Sequence, residues 1–478
     1  AFTAANVKTL EGQTTGTIGG AVTSVTTADL VGANGLHTLA RVHNVNVTIN
    51  QASVSAADLN TIDAATTGTV TAHSNVVTIT GSGADLVTAM GASALSGFRT
   101  QNITVNGGIT VAQLNSISAI TSGTITATVS TTDAATLKTI SRATDNLTIT
   151  VADTTVAAAD LIAIDAKTVG AVAVTSGTIS GTNADILSVY ALKTAGTTTF
   201  GNPALTATDQ VTVTEANLLA DQTTAAVTAT ISDTVITGAL ANLDDGASEI
   251  NANANAFTIT VTGMASDDAS VTAAALNTLN TKTSVPIQVN ATSITGTYAG
   301  VVAELLANAG LDGVGGNAVA ATLTGMDAIN ITVPSGTETV SLANLINLDG
   351  LTTGTITAQV TETRTDQLVA AGTGLVSGHN IAVTVATNNG VNNAAGTTHD
   401  PATINDLNNR TSGRVTVTGS LSGLAADLKI AFTANTNNAD IDATSQLVGL
   451  ETLATTITDT TVNAADINTI DTATTGVV

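Results

Sequence analysis

The stretch Ser53 to Ala72 reads SVSAADLNTIDAATTGTVTA; it returns as TVAAADLIAIDAKTVGAVAV at Thr155 to Val174 and as TVNAADINTIDTATTGVV at Thr461 to Val478. Three such copies do not align by chance. Self-similarity along a chain marks an array whose units cannot bury their apolar faces alone. Weaker copies bring the total to nine A-type copies, starting near residues 2, 53, 109, 155, 213, 271, 340, 400 and 461. Between them lie looser B-type copies of the same layout, such as Thr80 to Val105 and Thr131 to Val151. The domain organisation expected is one continuous repeat array over residues 1–478.

Each column of the A copy has a physical reading. Four residues before the first helical leucine or its equivalent stands Thr3, Ser55, Thr110, Thr214, Thr272, Ser341, Asp400 or Asn463, with Ala157 as the exception. These are N-cap residues, whose side-chain oxygen takes an orphan amide of the first turn. Three residues further on, Asn6, Asp58, Gln113, Asp160, Asn217, Asn344 and Asp466 supply the returning half of a capping box, and the acidic ones also suit the helix dipole. An apolar residue ahead of the cap (Val54, Val156) pairs with the fourth helical residue (Leu59, Leu161) as a hydrophobic staple. Three residues later, Ile62 and Ile164 complete a narrow buried stripe, a column that Asp221 breaks in the fifth copy. Then comes Thr-Gly, where glycine is expected to give the backbone freedom for a sharp exit, followed by an alternating strand with one buried face.

The fold class expected is a repeat solenoid: a β-rich α/β solenoid with parallel strands and short capped helices, elongated and curved or twisted. Helices of about 8 to 12 residues hold only against neighbours. Paired strands sit about 4.8 Å apart whereas packed helices need about 8 to 10 Å, so either the array curves with its helices outside or each repeat places two strands in the sheet.

Composition narrows the function. Hydrophobic residues make up 43% of the chain, yet there are only 5 Phe, 2 Tyr and no Trp, so any core is thin and filled by small and β-branched side chains. Acidic residues number 36 against 12 Lys plus Arg, a net charge of −24, and the basic residues are scattered singly. That excludes the clustered cationic surface a nucleic-acid partner needs. Cysteine is absent, which removes disulfides and thiolate metal sites. No stretch reaches the ~18 continuous apolar residues of a membrane span. Ala1 to Asn6 show neither an initiator Met nor the plan of a secretory signal, as expected of a chain whose leader has been removed or of a segment of something larger.

Asp58, Asp160 and Asp466 look like a catalytic column, but capping accounts for them. Asp63, Asp165, Asp349 and Asp471 come late in the helix, where negative charge opposes the dipole; they are read as turn caps or solvent-facing groups. The best local cluster for a cation is Asp244, Asp245 and Glu249, with Asp267 and Asp268 further on, which makes calcium the one candidate ligand. Calcium-binding β-roll nonapeptides and EF-hand loops do not occur; Asp312 to Asn317 is a single glycine-rich stretch. His37, His43, His73, His379 and His399 lack metal-ligand spacing and are read as surface residues. There is no Gly-x-Ser-x-Gly elbow, Walker loop or dinucleotide fingerprint, and no enzymatic activity is expected. Six Asn-x-Thr triplets begin at Asn46, Asn102, Asn146, Asn290, Asn330 and Asn409; four of them open a B-type strand, so their recurrence follows the strand repeat rather than glycan attachment. Pro286 and Arg414 interrupt the outward threonine ladder that an ice-binding face would need.

The words TVxAADLNTIDAATTGTVTA and TITGxxADL resemble the very large, low-complexity β-strand-repeat proteins of cyanobacteria and other aquatic bacteria, and the resemblance runs through the whole repeat. It implies export and a surface, adhesin-like or matrix role, and it carries over no catalytic residue. The function expected is that of a structural subunit or segment of an extracellular filament, sheath or surface layer, a homopolymer associating head to tail through open ends. The alternative is a segment of a giant adhesin that binds polysaccharide or a cell surface. A polysaccharide-cleaving enzyme would need converging carboxylates beside aromatic platforms, and aromatic residues are nearly absent.

Overall fold

The computed structural model describes residues 2–236, 239–243, 255–264, 269–311, 320–386, 397–436 and 447–478. They form an α/β protein with 16 α-helices and several parallel sheets. Contacts divide the chain into two units, one of residues 1–209 and 218–229, the other of residues 210–217 and 230–478.

In the first unit a seven-stranded sheet runs in the order Ser53–Ser55, Thr78–Gly81, Asn102–Ile109, Ile125–Val129, Asn146–Val151, Val172–Val174 and Thr198–Phe200. Its strands pair in parallel with residues 20 to 26 positions further on, Thr126 facing Asn146 and Val172 facing Thr198. That spacing is the A-plus-B alternation made physical. The strand leaving one helix and the strand entering the next fall in different sheets: Val70–Ala72 joins Asn44–Ile49 and Leu95–Ser96, whereas Thr78–Gly81 belongs to the seven-stranded sheet. A repeat of this kind contributes one strand to each of two sheets, which is not the expected arrangement of two strands in the same sheet. The second unit holds another seven-stranded parallel sheet, from Ser270–Thr272 through Ser293–Thr295, Asn330–Thr332, Ile356–Gln359, Asn380–Val385 and Val415–Val417 to Leu447–Val448.

Many of the short helices lean on the next. Ala56–Ala64 packs on Gly83–Gly91, and that helix on Val111–Ser118; in the second unit Pro401–Arg410 packs on Ala425–Thr436, and that helix on Ala464–Ala473. The stripe read from the sequence is what they bury: Leu59, Ile62, Leu114, Ile117, Leu161, Ile164, Leu345 and Leu348 have no exposed surface. Each such side chain contributes roughly 2 kcal/mol.

The caps follow the columns. Thr3 with Asn6 and Thr110 with Gln113 form complete capping boxes, while Ser55, Thr272 and Ser341 each accept the amide three residues on. Asp400 and Asn463 accept the amide two residues on, and Ala157 makes no side-chain cap. The fifth copy corrects the sequence alignment. Its helix is Val213–Ala220, and its box is closed by Thr212 and Glu215, whose side chains take each other's amides at 3.3 and 2.8 Å. Thr214 and Asn217 are therefore two residues out of register. Leu219 fills the second apolar column and is fully buried, Leu218 is exposed, and Asp221 falls beyond the helix and breaks nothing.

Candidate functional site

The chemistry that recurs lies at the seams between repeats. Its centre is the first threonine of the Thr-Thr-Gly word. The Thr411 hydroxyl accepts the Ile381 and Gly413 amides at 2.8 and 2.9 Å and faces the Ile381 carbonyl at 2.8 Å. Thr66 does the same with Val45 N, Gly68 N and Val45 O, at 3.0, 3.0 and 2.7 Å. Thr121, Thr168, Thr223, Thr283, Thr352 and Thr474 also reach a carbonyl of the preceding repeat, at Gln101, Leu147, Pro203, Phe257, Ile329 and Leu453. A single hydroxyl thus satisfies backbone groups on two repeats at once, groups that would be costly to bury unpaired.

Where glycine stands two residues on, its reason is other than the expected one. Gly68, Gly123, Gly170, Gly354, Gly413 and Gly476 are not in the left-handed region. A Cβ on Gly123 would instead lie 1.9 Å from the Gln101 carbonyl oxygen, and one on Gly476 2.1 Å from that of Leu453. Close approach of two backbones excludes the side chain. In the fifth and sixth copies Ala225 and Val285 occupy this place, and the threonine bond persists at 2.7 and 2.8 Å.

A second stitch escaped sequence reasoning. A carboxylate or amide from the following repeat accepts the first amide of a helix: Gln51 from Thr27, Asp153 from Ala134, Asp209 from Asn183, Asp233 from Val213, Glu338 from Tyr298, Glu362 from Leu342 and Asp459 from Ala425. The oxygen meets an orphan donor at the positive end of the helix. The signal was present in the words QASV, DTTV and DTTV at Gln51, Asp153 and Asp459, each three residues before the valine of the staple.

Three of the five histidines are not surface residues. His43, His379 and His399 are buried, His73 is partly exposed and His37 exposed. His43 and His379 hold equivalent places. Each Nδ1 accepts a strand amide of the preceding repeat, from Ile18 at 3.2 Å and Ile356 at 3.1 Å, and each Nε2 meets a carboxylate, Glu11 at 3.1 Å and Asp349 at 2.7 Å. Burial works to raise the Glu11 carboxyl, but the Ala40 amide, the His43 ring and the Arg41 amide together hold it below its ordinary value. At the matching position Asp145 accepts from Ile125 N at 2.9 Å and is held by Arg142, whose Nε lies 3.1 Å away. The histidine and carboxylate pairs therefore latch one repeat to the next, with both ring nitrogens occupied. His379→Leu should cost about 2 kcal/mol through the abandoned Ile356 amide; His37→Leu should leave the denaturation midpoint unchanged, and equal effects would contradict the latch.

The late-helix acids divide in the same way. Asp349 meets His379, Asp165 accepts from the Thr198 hydroxyl at 2.8 Å, Asp471 is exposed, and Asp63 keeps one buried oxygen without a partner. Asp58, Asp160 and Asp466 do not close the capping boxes expected of them; Asp160 pairs with Lys138 at 2.7 Å and Asp466 with Lys429 at 2.5 Å instead. Asp244, Asp245 and Glu249, with Asp267 and Asp268, lie outside the described residues. Among the described residues no group of three His, Cys, Asp or Glu side chains is placed to hold a metal ion, and no helix is long and apolar enough to cross a membrane. Asn46, Asn102 and Asn330 of the Asn-x-Thr triplets accept the amides of Thr69, Thr124 and Thr355, each just ahead of a strand of the following repeat, which gives these three a seam role.

One buried acid stands apart. Glu304 is 3% exposed, lines a cavity of about 410 Å³ and has no hydrogen-bond or ion-pair partner among the described residues; burial pushes its carboxyl up to about 7. Compared with models of known protein families and with curated proteins, the chain matches none.

Proposed function

We propose that this chain is a structural repeat array, stacked as an α/β solenoid, in an extracellular filament, sheath or surface layer, and that it associates head to tail. One observation carries the reading: the same threonine stitch recurs wherever a described A copy meets the B copy before it, so an A copy presents on that side what its neighbour uses on the other. Surfaces of that kind are exposed at both extremes of the described chain. Thr14, the first-copy counterpart of Thr66, is exposed and its hydroxyl accepts from its own Gly16 amide at 3.1 Å, and Phe2, bridged to Val22, is 46% exposed. At the other extreme Ile467 and Val478 are each 37% exposed and Val477 80%, whereas Leu59 and Val70, the counterparts of Ile467 and Val478, are wholly buried. They line an open hollow of about 550 Å³ with Thr455, Ile457 and Val462.

Imaging and light scattering of purified chain at rising concentration test this. Fibres are expected, and Ile467→Asp combined with Val477→Asp should abolish them; fibres that persist in that variant, or a chain that stays monomeric at all concentrations, would count against association through these faces. The alternative, a segment of a giant adhesin that binds polysaccharide or a cell surface, draws on the alternation of copies. Within the array A copies alternate with B copies, as expected of one stretch of a longer run. Intact-mass measurement of native material separates the two readings: a mass near the 46.9 kDa of this chain favours the polymerising subunit, and a several-fold larger one the segment.

A further inference from the structure

Glu304 departs from a pattern that the repeat itself defines. The four longer B-type helices, Gly83–Gly91, Asn183–Ala195, Tyr298–Ala309 and Ala425–Thr436, align from their first residue. The fourth position is Leu86, Ile186, Val301 and Leu428 and the eighth Met90, Tyr190, Leu305 and Phe432, all buried, which fixes the register. At the seventh position Ala89, Val189 and Ala431 are buried apolar side chains, and the remaining helix has Glu304. At the third, Asp85, Asp185 and Asp427 are matched by Gly300.

Positions three and seven are neighbours on one helix face. The acidic side chain has been removed from the first turn and a carboxylate set one turn deeper, and both altered residues line the same cavity of about 410 Å³. Asn277, Thr295, Thr297 and Pro334 are among the other lining residues, none of which is ionisable. The nearby Glu338 is engaged with the Tyr298 amide at 2.8 Å. Burying a carboxylate with no partner is costly; among the described residues the other buried acid, Asp145, is held by Arg142 and the Ile125 amide, whereas Glu304 has no partner. The cavity falls in the size range of small-molecule sites, with apolar walls and one directed charge.

We propose that this cavity binds a small organic monocation, a primary ammonium on a short apolar body, with the Glu304 carboxylate as its counter-ion. Alanine, proline and threonine methyl groups suit the apolar body, and the charge pair forms where water is largely excluded. A divalent cation would need several further oxygen ligands.

The test is titration of the full chain with n-propylammonium chloride, against propionamide as a neutral analogue, at matched ionic strength and followed by calorimetry. Saturable ammonium binding is expected, with affinity rising as pH rises through about 7 as the carboxyl ionises, and with little or no response to the amide. Glu304→Gln should weaken it by at least about tenfold. Glu304→Ala, which restores the small apolar residue that Ala89 and Ala431 supply at this position, should abolish it and serves if the glutamine variant folds poorly. The proposal is overturned by equal binding of amide and ammonium, by binding unchanged in both variants, or by none of the ammonium up to roughly 50 mM.

Discussion

A methyl group placed on Gly123 is expected to open the seam between strands Asn102–Ile109 and Ile125–Val129. Its Cβ would stand 1.9 Å from the Gln101 carbonyl oxygen, 2.3 Å from its carbon and 2.8 Å from the Asn102 nitrogen. All three are backbone atoms, so no rotamer change relieves the clash; the strands themselves must part. Overpacking of this kind costs about 3 kcal/mol when backbone has to move. Amide exchange at Ile103, whose N–H bonds the Thr124 carbonyl at 2.9 Å, should then quicken roughly a hundredfold. Gly16→Ala changes the same Thr-Thr-Gly word where the nearest atom to a new Cβ is the Thr14 hydroxyl, 3.5 Å away. It should have no measurable effect. If the two variants behave alike, the glycine serves the turn itself and close approach is not its reason.

The second large effect concerns the hydroxyl. Thr411→Val keeps the shape and removes the oxygen, so the Ile381 and Gly413 amides lose their acceptor and the Ile381 carbonyl its nearest donor. Thr411 is 5% exposed, so water does not readily replace the lost bonds. Leaving buried donors unsatisfied costs about 3 kcal/mol here, at the upper end of the usual range for one group because several are orphaned together. Thr411→Ser should restore most of the stability, and Thr14→Val, at the exposed first copy, should leave it unchanged. Exchange at the Ile381 amide is the readout; a valine variant no faster than the serine variant would remove the stitch from the account.

Much of this architecture was legible because it is local. Thr3 with Asn6 and Thr110 with Gln113 are three residues apart, and Leu59 with Ile62 form one stripe of one helix, so pattern and propensity suffice to place them. The fifth copy went astray because Thr212 and Thr214 both offer a cap, and Asn217 imitates the capping partner that Glu215 supplies. Only the burial of Leu219 against the exposure of Leu218 decides between the two registers. The histidines misled for a related reason. Nothing beside His43 or His379 in the chain announces a partner, because Glu11 and Asp349 lie 32 and 30 residues upstream. Glu304 carried a sequence signal, an acid in a column of alanine and valine, but it needed the register of the B-type helices, the looser half of the repeat.

From the sequence alone follow the repeat, its alternation of short capped helices with parallel strands, the thin aliphatic core and the acidic, cysteine-free composition. The caps and stripes express contacts within about a dozen residues, the composition is a plain count, and the strand pairing follows from the repeat period itself. Only the tertiary structure decided why the turn needs threonine and glycine, which acids cap a helix one repeat away, and where a carboxylate lies buried without a partner. The physical reason is that the other half of each stitch is a backbone carbonyl or amide 19 to 40 residues distant. Every residue has those groups in some form, so no letter of the sequence marks the ones that are used.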